Sequence, residues 1–357
     1  MPLPSIPLSQ TPLRRFSLSS LLLLPLLLLG HPAAAFEAGT AWITITPPHR
    51  SEPERVLITY PAKSDGEPFS LGADELWTGV PARREATPAS ERFPLVILSH
   101  GSGGNAASLG WLSTELAKNG FIVAAPNHIH STSGDSVPVE SFKIWERPQD
   151  ISALIDALLA DPQWSKRIDP DRIGGIGFSL GGTSMMLTAG AQASLGVFAG
   201  YCAASAGKDG GCNWFQRGGV DFAEVDRKAF EGSYKDRRLS ALVAVDPGLA
   251  MAYQPESVKA VDMPTLIVNL GEGEAIMPGV RAEKLAGEIR GARYAAIPGA
   301  LHFTFLGVCN PNGAEVLKRY GEDEPICQDG GDVSREELHK QIFFKIAVFL
   351  RKTLVEK

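Results

Sequence analysis

No run of lysine and arginine long enough to follow a phosphate backbone occurs in this 357-residue sequence, and its formal net charge is -6. Nucleic acid is therefore not an expected partner. No C-x-x-C pair occurs among the four cysteines, Cys202, Cys212, Cys309 and Cys327, so the usual spacing of a structural zinc site is missing. Internal repeats are lacking too, which excludes a stacked solenoid. What remains is an ordinary globular composition, 44% hydrophobic and 21% charged, on a chain long enough for one large core.

The longest apolar run, Leu18 to Leu29, lies close to the N-terminus. Arg14 and Arg15 precede it, and Ala33, Ala34 and Ala35 follow as an A-x-A site. A charged start, a short apolar segment and small residues read as a secretory signal peptide over residues 1–35, with the mature chain starting near Phe36. An uncleaved anchor is the alternative, and the run is short for it. Export favours two disulfides over four buried thiols, with Cys202–Cys212 and Cys309–Cys327 the simplest of three connectivities.

Beyond the leader, residues 36–357 read as one α/β domain with a mostly parallel central sheet and helices on both faces. Thr40–Thr46 and Arg55–Tyr60 suit an antiparallel pair at one sheet edge. A loop rich in proline, glycine and charge, Pro61 to Arg92, then leads to the apolar run Phe93–Ser99, the pattern of a buried parallel strand. Further strands are expected at Phe121–Ala125, Arg172–Phe178, Ala241–Val245, Thr265–Leu270 and Arg293–Ile297. Helices are expected from Asn105 to Lys118 and over Trp145–Leu159, Leu180–Ala189 and Glu336–Leu354. Residues 196–238 interrupt this alternation and read as an insertion near the sheet's C-terminal edge.

Between a predicted strand and a predicted helix stands Gly177-Phe178-Ser179-Leu180-Gly181, a G-x-S-x-G. A serine on such a turn is pushed out at the sheet edge, with the free Leu180 N–H beside it. The loop after Phe93–Ser99 reads His100-Gly101-Ser102-Gly103-Gly104, resembling the H-G-x-G turn of esterases and lipases, and makes the Ser102 N–H the second candidate oxyanion donor. A serine hydroxyl needs a base, and histidine suits neutral pH. Of seven histidines, His302 follows the last strand, where an α/β hydrolase keeps its base. His128 and His130 follow a strand end and read as hydrogen-bonded loop histidines; a zinc site built on them is the weaker reading. Two residues can serve as acid: Asp246, ending Ala241–Val245, and Glu274, after Thr265–Leu270. Asp150 and Arg147, at the opening of a helix, read as a cap or a structural ion pair.

Four segments together, Leu95–Gly104, Gly175–Gly182, Leu242–Pro247 and Gly299–Phe303, resemble the platelet-activating factor acetylhydrolase family and the bacterial dienelactone hydrolase-like proteins. Glu146–Leu158 is similar to the bacterial group, and the resemblance spans about residues 40 to 350. It implies Asp246 as the acid, because that family's acid follows the strand after the nucleophile helix. It implies the Ser102 and Leu180 amides as oxyanion donors, a small ester or lipid as substrate, and no metal or organic cofactor. Dienelactone hydrolases proper use cysteine where this chain has Ser179, so lactone opening does not transfer. The expectation is an exported serine esterase. An amidase using the same residues and a silent binding module on the same fold are its rivals.

Overall fold

The computed structural model describes residue 1, residues 36–205 and residues 207–356. The expected signal peptide, residues 1–35, lies outside this description apart from Met1. Among the described residues no helix is long and apolar enough to cross a membrane.

Ten strands form one sheet: β1 Glu37–Ile45, β2 Glu54–Ala62, β3 Glu67–Leu71, β4 Val80–Arg84, β5 Phe93–Ser99, β6 Ile122–Pro126, β7 Ile168–Phe178, β8 Leu239–Val245, β9 Thr265–Leu270 and β10 Arg293–Ile297. Their order is β10-β9-β8-β7-β5-β6-β2-β1-β4-β3. From β10 through β6 every neighbour pairs in parallel, whereas β2 pairs antiparallel to both β6 and β1. The sheet is therefore mostly parallel, with helices on both faces.

A parallel strand covered on both sides must be apolar at every position. In β5, Leu95 and Ile97 join one core cluster, while Val96 and Leu98 join the other. Helices Glu146–Ala160 and Leu180–Thr188 supply residues to the first cluster; Gly110–Lys118 and Arg335–Leu350 supply the second. Each fully buried aliphatic side chain in these layers contributes about 1.5–3 kcal/mol.

The segment expected to be a loop, Pro61 to Arg92, instead carries β3 and β4, and these rather than β1 and β2 form the sheet edge. An edge hairpin exposed along much of its length needs no apolar alternation, and charged side chains and proline are common there. Its composition therefore reads as loop. The region 196–238 holds most of helix Leu195–Ser205, together with Gly210–Arg217 and Arg227–Phe230. Cys202–Cys212 ties the first two together, and Cys309–Cys327 closes a loop before the last long helix. Phe142 sits among Phe198, Phe215, Phe222 and Phe230, fastening this helical region to the main body.

Candidate active site

At the end of β7 the chain turns sharply into helix Leu180–Thr188, and Ser179 takes φ 55, ψ -120. For a side chain bearing Cβ this conformation costs on the order of 1–3 kcal/mol. Close packing holds it in place. A Cβ on Gly177 would lie 2.0 Å from the Gly181 carbonyl oxygen, and one on Gly181 would lie 2.0 Å from the Ser99 carbonyl oxygen. Neither position admits a side chain, which explains the glycines flanking the serine.

Three residues far apart in sequence meet here. Ser179 Oγ lies 3.1 Å from His302 Nε2, and His302 Nδ1 lies 2.9 Å from Asp246 Oδ2. His302 opens a short 3-10 turn after β10, and Asp246 follows β8 with φ 43. The carboxylate is almost fully buried, and its Oδ1 accepts from Asn269 Nδ2 at 2.8 Å and from the Leu270 amide at 2.9 Å. With both oxygens held, Asp246 fixes one imidazole tautomer: Nδ1–H donates to the acid, and Nε2 is left to accept from the serine. Glu274 is not in this chain; it is exposed on the short turn Gly273–Ala275. The loop after β9 carries it outward, while β8 delivers Asp246 beside the imidazole.

The turn after β5 packs directly over the serine. A Cβ on Gly101 would begin 3.1 Å from Ser179 Cβ. Gly104 N–H closes the turn on Gly101 O at 3.2 Å, Gly103 N–H donates to Ser131 O at 3.0 Å, and Gly103 takes φ 68, which favours glycine. The Ser102 amide and the Leu180 amide donate to no acceptor among the described residues. These two amides are the candidate oxyanion donors expected from the sequence; Leu180 directly follows Ser179, and Ser102 follows Gly101, which packs on it.

The sequence of residues 70–151, which holds this turn, matches the family described as platelet-activating factor acetylhydrolase, isoform II. No curated protein matches the chain. Among solved structures, a ferulic acid esterase from Streptomyces cinnamoneus superposes with a TM-score of 0.60 at 19% identity, covering 92% of each chain. The chain has the α/β-hydrolase fold. A putative dienelactone hydrolase from Klebsiella pneumoniae also matches, with a TM-score of 0.49 at 14% identity, covering 88% of this chain and 99% of the other.

Within this fold the turn carrying His302 is clamped from behind. Trp111 Nε1–H donates to Phe305 O at 2.8 Å, and His339 Nε2–H donates to Thr304 O at 2.8 Å while its ring stacks 3.8 Å from Trp111. Burial lowers His339 to a pKa of about 4, so it serves as a neutral donor. A cavity of about 350 Å³ lies behind this clamp, lined by Trp77, Trp111, His339 and Phe343; Ser179, Asp246 and His302 do not line it.

A second polar network lies behind the glycine turn, and only part of it was legible. Asp150 is not paired with Arg147. The Arg50 guanidinium grips both Asp150 oxygens, at 2.8 and 2.7 Å, and His128 Nδ1 lies 3.0 Å from Oδ2. Arg147 instead reaches the carbonyls of His100 and Gly101. Burial, reinforced by the positive charge of Arg147, lowers His128 to a pKa of about 4. Glu54, with both oxygens buried and without a hydrogen-bond partner among the described residues, is pushed well above the carboxylate range by burial and by Asp150. Glu54, His128 and Asp150 are close enough to share a cation. The Arg50 fork and His49 already occupy both Asp150 oxygens, so the chemistry is that of an ion-pair network rather than an open ligand set. His130 lies apart from it, bonded to Asp135.

Sequence reasoning missed Asn269. Its amide holds Asp246 and Val280 O, while its oxygen accepts from the Ala282 amide and Tyr294 Oη. The available signal was an amide side chain near the end of the otherwise apolar stretch Leu266–Leu270.

Proposed function

We infer that this protein is a serine hydrolase that cleaves carboxylic esters through an acyl-enzyme. The observation that carries the reading is the hydrogen-bonded chain Ser179–His302–Asp246 on a strained elbow flanked by two free amides. His302 Nε2 accepts the Ser179 proton as Oγ attacks the ester carbonyl, and the Ser102 and Leu180 amides receive the oxyanion. His302 then protonates the leaving alcohol. A water, deprotonated by the same imidazole, attacks the acyl-enzyme and frees the acid. Asp246 stays ionised, holding the tautomer and stabilising the imidazolium.

Short acyl esters are the substrates proposed first, because the part of the chain carrying the glycine turn matches an acetylhydrolase family. Residues 1–35 act in this reading as a cleaved leader, and residues 36–357 as one exported domain with 196–238 inserted. The two disulfides support an oxidising destination, the periplasm or the cell exterior. The N-terminus of the released protein should then lie near Phe36.

The purified protein should hydrolyse p-nitrophenyl acetate and react with a fluorophosphonate probe. Ser179→Ala should lose both, with turnover falling by about four orders of magnitude or more. A matched anilide should be cleaved far more slowly. Turnover in Ser179→Ala equal to the parent would sink the assignment, and preference for the anilide would redirect it to an amidase.

A further inference from the structure

Every peptide unit carries its C=O and the following N–H on opposite edges of one plane. The direction of the Ser102 N–H is therefore set by whatever holds the Gly101 carbonyl, and that of the Gly101 N–H by whatever holds the His100 carbonyl. Neither carbonyl is bonded to Ser179, and both are held by other donors. The Gly101 oxygen accepts from His100 Nδ1 at 2.7 Å, from the Gly104 amide at 3.2 Å and from Arg147 Nη2 at 3.4 Å. The His100 oxygen accepts from Arg147 Nη1 at 2.7 Å. Arg147 also donates to Ser131 Oγ at 2.6 Å, and Ser131 O holds the Gly103 amide of the same turn.

Arg147 belongs to helix Glu146–Ala160 and is 2% exposed. A guanidinium is costly to bury unless its donors are used. Here Nη1 and Nη2 are spent on the turn and on Ser131, Nε has no partner among the described residues, and the carboxylate one helical turn away is gripped by Arg50 instead. His100 is fastened in turn, because its Nε2 accepts from the His128 amide at 3.2 Å.

We propose that Arg147 is a positioning residue of the oxyanion hole: by holding the His100 carbonyl closely and sharing the Gly101 carbonyl with His100 and Gly104, it helps set the peptide that presents the Ser102 N–H to the carbonyl oxygen of a bound ester. This rests on the esterase reading above and adds to it a residue that never touches substrate. The charge matters as well as the geometry. A cation bonded to the carbonyl edge of a peptide polarises that peptide and strengthens its N–H as a donor. The oxyanion exists only during reaction, so the effect belongs in kcat and leaves KM largely unmoved.

Arg147→Met tests this, with Arg147→Lys as the milder variant that keeps the charge and can reach one carbonyl. Turnover is referred to sites titrated with a fluorophosphonate, so that misfolded protein is not counted. Arg147→Met should lose about 100-fold in kcat per titrated site with KM within about twofold, and Arg147→Lys about tenfold. Inhibition by a trifluoromethyl ketone, whose serine adduct carries an oxyanion, should weaken in parallel with kcat/KM. Competitive binding by an uncleaved amide analogue should stay constant. A role confined to stability would lower the number of titrated sites and leave turnover per site intact, and that result overturns the proposal. If Arg147→Met yields no folded protein, turnover per site within about threefold of the parent in Arg147→Lys overturns it equally. A parent protein inactive on esters would instead remove the esterase reading, a failure distinct from this one.

Discussion

The molecule contains the same hydrogen-bonded sequence twice. Ser179 Oγ, His302 and Asp246 form one chain, at 3.1 and 2.9 Å; Ser99 Oγ, His128 and Asp150 form the other, at 2.9 and 3.0 Å. In both, Nε2 faces a serine and Nδ1 a carboxylate. The surroundings differ. Ser99 lies within β5, in register with Gly177 and fully buried, while Ser179 stands at the end of β7 on a turn that lifts it partly into the open. Ser179 has free amides beside it, and Ser99 has strands on both sides. His128 lies in the field of Arg147 and Arg50, which oppose the charge it would need to accept a proton from serine. The one ion-pair partner of His302 among the described residues is Asp246. Connectivity alone therefore does not single out a nucleophile; backbone strain, access and the free amides are what favour Ser179 in the proposed function.

The largest effect that can break this comparison is at the two serines. Ser179→Ala should abolish ester turnover, whereas Ser99→Ala should keep it within about threefold per titrated site and lose about 1–3 kcal/mol of stability, since His128 Nε2 is left without its hydroxyl. Titrated turnover and urea unfolding measure the two quantities. Comparable losses of turnover at both positions would mean that the buried chain also acts in the chemistry.

Next come the two acids. Asp246→Asn leaves the shape nearly unchanged but offers His302 the wrong tautomer, and kcat should fall by about four orders of magnitude. Asp150→Asn should instead act on folding. It removes the more buried of the two carboxylates that pair with Arg50, Glu146 being the other, at a cost of up to about 3–5 kcal/mol in unfolding free energy, with turnover per titrated site retained. If Asp246→Asn kept its turnover, the acid would have to be sought elsewhere, with Glu274 first.

Much of the visible chain was legible because its features are local. The G-x-S-x-G, the glycine turn and the histidine after the last strand each announce themselves within a few residues. The choice between Asp246 and Glu274 was less so, since it depends on how the loops after β8 and β9 bend. The φ of 43 at Asp246 that aims its carboxylate has no signature in Asp246-Pro247-Gly248 strong enough to read in advance. Of the buried chain only fragments were legible: His128 as a hydrogen-bonded loop histidine and Asp150 as part of an ion pair, but not their partners. Ser99, His128 and Asp150 lie on three elements, and Arg50, which completes it, comes from the β1–β2 connection. Arg147 and Asp150, three apart on one helix, invite pairing with each other. Burial sent them to different partners, which only the packed structure decides.

The effect of pH on stability gives the most graded test. An imidazole in the unfolded chain takes its proton near pH 6.5, whereas His128 in the folded protein is held at about 4. On acidification the unfolded state therefore binds the proton first. The stability that neutral His128 represents is fully present above pH 6.5 and is lost as pH falls toward 4, about 3 kcal/mol in all. His339, also held at about 4, adds a slope of the same sign. Glu54 works in the opposite direction: its folded carboxyl is held above the unfolded value, so its contribution is present at low pH and lost as pH rises. Arg50, Arg147, Asp150 and Glu54 all face His128, so the slope belongs to the network and is isolated by difference. In urea unfolding, His128→Gln should be less stable than the parent at pH 7, and the gap should narrow steadily between pH 6.5 and 4.5. A gap that stays constant over that interval would show that the folded His128 titrates as it does in the open chain, and burial beside Arg147 and Arg50 would not be what sets it apart.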